Sequence, residues 1–325
     1  MTKVYDTIII GGGITGFSAA MYAARLKLST LVVSEIRGGT IILTNDVANW
    51  PGVKQTDGIA LAKSVEEHAL SYPEVEVVDR KAVKVEHLPG PYIFGVNTED
   101  GAKFRSKTLI FATGTEYRKL GVPGEEEFKN RGVHYCALCD GYFYKEKVIG
   151  VVGGSDSAAK EAILLTQWAK KVYVIVRRDK LRGEPINNER VANNPRIEVI
   201  TNIQIKEIRG NEKVTHVILD KQYNGSNELK LDAVFVEVGH NARSELAAQL
   251  GVHLNEKKEI KINRSSETST SGVYAAGDVA DSKFKQAITG SAEGVVAAYS
   301  AYEYINNEKV LTSSDPNRDK KTKKD

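Results

Sequence analysis

Two short apolar runs flank a stretch of helical periodicity near the start of the chain. Residues 8–10 and 31–33 are continuously apolar within the segments 7–10 and 29–34, and small or apolar side chains recur on one side of a helix over residues 16–26. Glycines separate the first run from the helical stretch. Apolar runs of this length around an amphipathic stretch predict a strand–helix–strand unit.

The same pattern returns 142 residues later, where Gly153 takes the place of Gly11. A strand is predicted over residues 148–152, a helix follows to about residue 169, and a second strand covers residues 172–176. Each copy is too short to form a domain alone. Two copies therefore predict two Rossmann-like lobes in one chain.

Segments of alternating polarity follow each copy and predict further strands. After the first copy we expect antiparallel strands over residues 75–78, 83–85, 92–96 and 103–106, then a buried strand over residues 108–113. After the second copy we expect strands over residues 198–208, 214–220, 228–230 and 233–238. A Gly- and Ala-rich helix over residues 287–306 does not fit the second repeat, so we expect it to return to the first lobe. The predicted fold class is α/β, with two Rossmann-like three-layer nucleotide-binding domains, the second inserted in the first.

Composition excludes several classes of protein. The 325 residues are 41% hydrophobic and 27% charged, as in ordinary globular proteins. The net charge is +3, and the segment from residue 312 onward, with five basic and three acidic residues, supplies two of those charges. The rest of the chain is nearly neutral, so the sequence does not indicate a basic surface that binds nucleic acid. The tail over residues 312–325 lacks apolar side chains, so we expect it to be disordered.

A long uncharged run and the small number of cysteines indicate where in the cell the protein is located. Residues 7–24 form an uncharged stretch about as long as a membrane span. Four glycines break it into a strand and a helix, and nothing around it resembles a signal peptide, so we predict no membrane segment. The two cysteines are too few for the disulfide framework of a secreted protein, which predicts a cytoplasmic protein.

The first glycine turn has the pattern of a dinucleotide site. Gly11-Gly12-Gly13-Ile14-Thr15-Gly16 matches G-x-G-x-x-G between a predicted strand and a predicted helix, where a pyrophosphate approaches the helix N-terminus. Glu35 ends the next strand, 19 residues after Gly16, and can accept hydrogen bonds from the hydroxyls of an adenosine ribose. The alternative is a tight strand-to-helix turn without a ligand.

The second turn carries the opposite charge. Gly153-Gly154-Ser155-Asp156-Ser157-Ala158 opens it, and Arg177-Arg178 stand at the position that corresponds to Glu35. Guanidinium groups there can hold a 2′-phosphate that a carboxylate would repel, with Arg182 as a third contact. This predicts NADPH rather than NADH, the alternative being a solvated basic strand end. One resident and one exchangeable dinucleotide are thereby indicated, for which FAD and NADPH are the natural pair.

Cys136 and Cys139 form a C-x-x-C ahead of the second turn. Two thiols at this spacing can close a disulfide, and a helix N-terminus lowers the pKa of a cysteine thiol. Zinc is one alternative, but a structural zinc site needs about four ligands and the sequence shows no second such pair; two incidental buried cysteines are the other. Asp140 follows the pair and can protonate a leaving thiolate, or else cap a helix. No metal site is predicted.

These landmarks together resemble the low-molecular-weight thioredoxin reductases, FAD-dependent members of the pyridine nucleotide-disulfide oxidoreductases. The resemblance extends in order from residue 7 to about residue 300. The matching runs are residues 11–16, Asn49-Trp50-Pro51-Gly52, Ala112-Thr113-Gly114, Cys136-Ala137-Leu138-Cys139-Asp140, residues 153–158, Arg177-Arg178-Asp179 with Arg182, and residues 270–278 ending in Gly277-Asp278.

The resemblance implies a homodimer in which NADPH reduces FAD, FAD reduces the Cys136–Cys139 disulfide, and the dithiol reduces thioredoxin or a thioredoxin-like protein. It implies that Cys139 is the thiol nearest the flavin, and that FAD is also contacted by Asn49, Ala112, Thr113, Gly114, Gly277, Asp278, Lys285, Gln286 and Ala287. The implied domains are residues 1–116 and 244–311 for FAD and residues 117–243 for NADPH. The sequence departs from the family at Ser155, Val176 and Gly183.

Other functions fit part of the pattern. The cysteine pair does not identify its partner, so an NAD(P)H oxidase containing flavin, or a reductase of a peroxiredoxin or glutaredoxin-like protein, remains an alternative. A nucleotide-binding redox sensor without turnover is the alternative outside the enzymes.

Overall fold

The computed structural model describes residues 3–90 and 94–312. The chain divides into two compact units. The first unit consists of the residues up to Thr115 and from Ala242 onward, and the second is Glu116–Asn241. The second unit is therefore an insertion in the first.

Both units contain strands and helices. In chain order they are β1 (Val4–Ile10), β2 (Thr30–Ser34), β3 (Val75–Asp79), β4 (Ala82–His87), β5 (Phe94–Thr98), β6 (Lys103–Phe111), β7 (Thr115–Tyr117), β8 (Val133–His134), β9 (Val148–Val152), β10 (Lys171–Val176), β11 (Ile197–Thr201), β12 (Ile205–Gly210), β13 (Val214–Tyr223), β14 (Ser226–Lys230), β15 (Ala233–Val236), β16 (His240–Ala242) and β17 (Val273–Ala275). The helices are α1 (Ile14–Arg25), α2 (Gly58–Leu70), α3 (Ala137–Asp140), α4 (Asp156–Leu165), α5 (Pro185–Ala192), α6 (Glu245–Ala248) and α7 (Ala287–Thr312). Short 3₁₀ turns lie at Gly39–Leu43, Gly141–Tyr144 and Gly277–Val279.

The first unit contains a mostly parallel sheet with an antiparallel extension. Its strand order is β3-β2-β1-β6-β5-β4, with β17 also paired to β6. Strands β3, β2, β1, β6 and β17 are parallel, whereas β4 and β5 are antiparallel to their neighbours. The prediction of an antiparallel strand over residues 75–78 is wrong, because α2 carries the chain back and β3 joins β2 in parallel. The two strands predicted between residues 103 and 113 are one strand, β6.

Small residues hold the helices of the first unit close together. Ala19, Ala20, Ala23 and Ala24 of α1 are buried in one cluster with the alanines of α7. Side chains this small let two helix backbones approach closely. This contact places the start of α1, and with it the first glycine turn, beside the start of α7.

The second unit repeats the plan on a smaller scale. A parallel sheet in the order β11-β10-β9-β15-β8 lies beside an antiparallel sheet, β12-β13-β14. The single strand predicted over residues 198–208 is two strands, separated at Asn202, whose φ of 58° breaks the extended backbone. The first of the two pairs in parallel with β10, and the second pairs antiparallel with β13.

The predicted fold class, α/β with two Rossmann-like domains, is confirmed by these topologies. Helix α7 begins where expected but continues to Thr312 rather than ending at residue 306. Residues 92 and 93 of one predicted strand, and residues 313–325 of the predicted disordered tail, lie outside the described residues. Among helices of the described ranges, none combines the length and apolar character needed to cross a membrane.

Candidate active site

The first glycine turn forms a close-packed cradle at the carboxyl end of β1. Gly11 has a φ of 114°, and a Cβ atom on it would lie 2.2 Å from the backbone oxygen of Ala112. Only glycine accepts that backbone conformation and that approach without strain. Gly13 is the N-cap of α1, so the helix N-terminus, which attracts a pyrophosphate, opens directly onto the turn.

Glu35 stands near this turn because the segment after β2 folds back against it. The Gly38 amide donates a hydrogen bond to the Gly12 oxygen at 2.8 Å, and Gly13 pairs with Gly38 as an isolated bridge. The Glu35 carboxylate is about half exposed and lies 3.7 Å from Lys81 Nζ. It can therefore accept hydrogen bonds from a ribose bound at the turn.

The remaining residues predicted for the first nucleotide lie around the same sheet edge. The Ala112 amide donates to the Ile10 oxygen at 2.9 Å, and Thr113 Oγ1 donates to the Arg243 oxygen at 2.6 Å. Gly114 follows them with a φ of 63°. These three residues leave the carboxyl end of β6, next to the carboxyl end of β1, where parallel sheets bind their ligands.

Gly277 completes the cradle from the other side. A Cβ atom on Gly277 would lie 2.6 Å from Thr15 Oγ1, so the loop after β17 packs against the start of α1. Glu293 of α7 fixes this loop by accepting hydrogen bonds from the Gly277 amide, at 2.8 Å, and from the Ser282 hydroxyl. Sequence analysis missed Glu293, because only the fold brings α7 to this loop.

Two residues predicted from distant parts of the sequence contact one another. Asn49 Nδ2 donates to Gln286 Oε1 at 2.9 Å. Lys285 is engaged within its own loop, since its Nζ donates to the backbone oxygens of Asp278, at 2.8 Å, and Ala280, at 2.5 Å. It also lies 3.1 Å from Glu259 Oε1.

The second glycine turn opens into a cavity of about 360 Å³ within the second unit. A Cβ atom on Gly153 would lie 2.3 Å from the Glu237 oxygen, so position 153 also accepts only glycine. The cavity is lined by the turn, by the ends of β9, β10 and β15, and by a group of cations: Arg118, Lys119, Arg177, Arg178 and Arg182. A cavity lined by a glycine turn and by guanidinium groups fits a phosphorylated dinucleotide.

Arg182 is held against the turn by its backbone. Its amide donates to the Gly154 oxygen at 2.9 Å, and it pairs with Ser155 as a parallel bridge. Asp156 Oδ1 secures the following residues by accepting from the Glu184 amide at 2.7 Å and from Asn187 Nδ2 at 2.9 Å. Asp156 therefore shapes the loop that carries Arg182.

Ser157, in the first turn of α4, is exposed. The side chains of Arg177 and Arg178 are exposed as well, and neither makes an ion pair or hydrogen bond with any residue in the described ranges. Both guanidinium groups are thus available to an anion.

The cysteine pair forms a disulfide at the start of the short helix α3, within the second unit. Cys136 is the N-cap of that helix, and the Cys139 amide donates to Cys136 Sγ at 3.1 Å. Cys139 is exposed. Asp140 Oδ2 lies 3.1 Å from His134 Nδ1, and the Asp140 side chain makes no helix-capping hydrogen bond. The alternative role of Asp140 as a helix cap is therefore not realised.

Sequence analysis missed two carboxyl groups: Glu161, which contacts this helix, and Glu237, which interacts with Glu161. Glu161 Oε2 accepts from the Ala137 amide at 2.8 Å. Burial raises the pKa of Glu161 to about 7, against that hydrogen bond, and burial together with the Glu161 charge raises the pKa of Glu237 to about 9. Glu237, which lines the nucleotide cavity, is consequently protonated at neutral pH.

Two aromatic residues shortly after the cysteine pair in the sequence are exposed. The side chains of Tyr142 and Phe143 are 66% and 75% exposed. Large apolar side chains this open, side by side, are typical of a surface that binds another molecule. Their position shortly after the C-x-x-C is visible in the sequence and could have indicated a binding surface beside the disulfide. In the described part of the chain, no three His, Cys, Asp or Glu side chains are grouped to hold a metal ion.

Comparisons with known proteins agree with this geometry. The family described as pyridine nucleotide-disulphide oxidoreductase matches residues 5–294. A thioredoxin reductase of Bacillus subtilis is 39% identical over 93% of this chain and 95% of its own length. An NADH dehydrogenase of the same organism is 35% identical over 93% of this chain but only 58% of its own length. The crystal structure of Lactococcus lactis thioredoxin reductase superposes with a TM-score of 0.88 at 34% identity, covering 93% of this chain and 99% of that one.

The chain belongs to the pyridine nucleotide-disulphide oxidoreductase family, and within it to the low-molecular-weight thioredoxin reductases. The resemblance found in the sequence is thereby confirmed. A flavin and a nicotinamide nucleotide follow from membership of this family.

Proposed function

We propose that this chain passes electrons from NADPH, through FAD, to the Cys136–Cys139 disulfide and from the resulting dithiol to oxidised thioredoxin. One observation carries the proposal: the disulfide lies in the same unit as a glycine-lined, arginine-lined cavity, while a second glycine cradle of opposite charge lies in the other unit. When bound, the two dinucleotides would supply hydride and two-electron transfer. The protein itself supplies the binding groups and the exchangeable disulfide.

The residues present fit both dinucleotides. Glu35 and the turn from Gly11 would hold the adenosine half of FAD, because the carboxylate accepts from ribose hydroxyls and the turn admits a pyrophosphate. Arg177 and Arg178 would hold the 2′-phosphate of NADPH, because they line the cavity without a carboxylate partner in the described ranges. The same charges supply the preference for NADPH over NADH.

Thiol–disulfide exchange at the cysteine pair accounts for thioredoxin reduction. One cysteine thiolate attacks a sulfur of the partner disulfide, and the partner thiolate that leaves takes a proton from Asp140. The second cysteine then attacks the mixed disulfide, which re-forms the Cys136–Cys139 bond and releases the partner with two thiols. The Cys139 amide, 3.1 Å from Cys136 Sγ, would stabilise a thiolate on Cys136.

The exposed aromatic pair supports a protein as the acceptor. Tyr142 and Phe143 project from the turn that follows the disulfide, so a partner that reaches the sulfurs also contacts these two rings. A small disulfide would not need such a surface. We also propose that the protein forms a homodimer. We further propose that it acts in the cytoplasm, because a reductase of protein disulfides works in a reducing compartment.

Anaerobic consumption of NADPH, with and without oxidised thioredoxin, tests the proposal in one assay. We expect NADPH to bleach the flavin absorbance of the purified protein, and sustained consumption to depend on thioredoxin. Cys136→Ser and Cys139→Ser are the matched controls: each should keep the bleaching and lose thioredoxin reduction. Sustained thioredoxin reduction by either variant would remove the dithiol from the mechanism, and absence of bleaching would remove NADPH.

A further inference from the structure

A buried histidine connects the acid beside the cysteine pair to a tyrosine. His134 ends the short strand β8, two residues before Cys136, and its side chain is only 5% exposed. Nδ1 of its ring lies 3.1 Å from Asp140 Oδ2, and Nε2 lies 2.7 Å from the Tyr144 hydroxyl. The histidine thus sits between a carboxylate on one side of the cysteine pair and a hydroxyl in the turn that follows.

Packing fixes the ring of His134. It stacks on Phe235 with a centroid distance of 5.3 Å, and it meets Tyr144 edge-on at the same distance. Burial lowers the pKa of His134 and outweighs the opposing effect of the Asp140 charge, so the ring is neutral at neutral pH. A neutral imidazole has one donor and one acceptor nitrogen. Therefore, if Tyr144 donates to Nε2, Nδ1 donates to Asp140.

His134 Nδ1 lies close to the Asp140 carboxylate, but the two groups do not have the geometry of a hydrogen bond. Although Nδ1 lies 3.1 Å from the carboxylate, it is a buried nitrogen without a directed hydrogen bond to any described residue. Contacts of catalytic groups often tighten only during reaction. Where a side chain exchanges a proton at a nucleophilic centre, a third group commonly orients that side chain.

We propose that His134, itself held by Tyr144, is the positioning residue of Asp140 in thiol–disulfide exchange. This inference rests on the proposed function of Asp140. In the exchange, a cysteine thiolate attacks one sulfur of the disulfide, the S–S bond breaks, and the thiolate that leaves takes its proton from the Asp140 carboxyl group. The thiol of the second cysteine gives a proton back to Asp140 when it becomes the next nucleophile. The proton on Nδ1 remains on the imidazole throughout, and the hydrogen bond that it forms with Asp140 when the contact tightens holds the carboxyl group in place.

The charged and titratable groups that face this pair are few. Glu161 interacts with Asp140 from helix α4, and Asp232 interacts with Tyr144 from the loop before β15. Burial raises the pKa of Tyr144 to about 12, with a smaller contribution from the Asp140 charge, so Tyr144 keeps the proton that it donates.

The test measures exchange by the full-length protein after its disulfide has been reduced with dithiothreitol and the reductant removed. Bis(2-hydroxyethyl) disulfide is the oxidant, because its alkyl thiolate is basic and needs a proton to leave; 5,5′-dithiobis(2-nitrobenzoate) is the control, because its aryl thiolate leaves without one. Neither NADPH, flavin nor thioredoxin takes part. The result therefore does not depend on thioredoxin being the acceptor. The identity of the acceptor is tested separately, by the NADPH assay.

Three variants separate positioning from packing. His134→Phe keeps an aromatic ring but no nitrogen, whereas His134→Asn places an amide nitrogen near the position of Nδ1. We expect His134→Phe to slow exchange with the alkyl disulfide about ten-fold, part of the hundred-fold or more that an acid typically supplies, and to change the aryl reaction less than about two-fold. His134→Asn should recover most of the rate. Tyr144→Phe, which removes one hydroxyl, should slow the alkyl reaction less than His134→Phe and serves as the test if that variant does not fold.

A double-mutant cycle with Asp140→Asn completes the test. If His134 acts through Asp140, His134→Phe adds no further loss in the Asp140→Asn background. Equal losses in both backgrounds, a rate in His134→Phe above that in His134→Asn, or equal slowing with both oxidants would each overturn the proposal.

Discussion

Glu161 and Ala137 join the nucleotide-binding helix to the redox turn: Glu161 Oε2 accepts a hydrogen bond from the Ala137 amide at 2.8 Å. Glu161 belongs to α4, the helix that begins at the second glycine turn, and Ala137 lies between the two cysteines. Because the helix that begins at the glycine turn of the cavity also carries this acceptor, the position of the disulfide is fixed relative to the nucleotide cavity.

Loss of this acceptor should therefore loosen the redox turn. We expect Glu161→Ala to lower the free energy of unfolding by roughly 1–3 kcal/mol, because the Ala137 amide would be left without its partner. Glu161→Gln is the matched control, since its amide oxygen can still accept the bond. Thermal unfolding of the oxidised proteins measures both. Equal stability of the two variants would show that the bond contributes nothing.

The buried carboxyl of Glu237 makes stability depend on pH. Burial, aided by the Glu161 charge, raises its pKa from 4.5 to about 9 in the folded protein, whereas in the unfolded chain it titrates near its ordinary value. Between these values the folded state holds a proton that the unfolded state has lost, so stability falls as pH rises from about 4.5 to 9.

Glu237→Gln should remove this dependence. We expect the variant to gain stability relative to the wild type as the pH rises from 6 toward 9, because a glutamine has no charge to bury. Melting temperatures of the two proteins across that range measure the difference. A gap between them that stays constant with pH would contradict a protonated Glu237.

The charge of the nucleotide cavity predicts a selective loss of affinity. Arg177→Glu should raise KM for NADPH by more than about ten-fold, equivalent to 1.4 kcal/mol, and leave KM for NADH nearly unchanged or lowered, because only NADPH carries the 2′-phosphate. Arg209→Glu is the control, since Arg209 lies on β12 and pairs with Glu207 outside the cavity. Steady-state kinetics with both nucleotides would decide; equal effects on the two would sink the phosphate assignment.

Local motifs could be predicted from the sequence, whereas contacts between distant segments could not. The glycine turn from Gly11 and the strand ending before Glu35 follow from turn chemistry and spacing within one strand–helix–strand unit. The parallel pairing of Val75–Asp79, by contrast, depends on the crossover through α2, which alternation of polarity does not report. His134 and Glu293 acquire their roles only when the fold brings Asp140 and Gly277 to them.

The last prediction concerns the exposed aromatic pair. Phe143→Ser should raise KM for thioredoxin about ten-fold or more, because an exposed ring at the centre of a docking surface commonly supplies over 1 kcal/mol of binding energy. Flavin bleaching by NADPH should not change, since the ring lines no part of the nucleotide cavity.

A small disulfide separates docking from chemistry in the same variant. Reduction of 5,5′-dithiobis(2-nitrobenzoate) by Phe143→Ser should proceed at the wild-type rate, because this oxidant reaches the sulfurs without a protein surface. Phe284→Ser, which removes an aromatic side chain that is 58% exposed in the first unit, controls for a general loss of apolar surface. If Phe143→Ser slows both oxidants alike, the ring supports the redox turn instead of binding the partner; if it slows neither, the docking surface lies elsewhere.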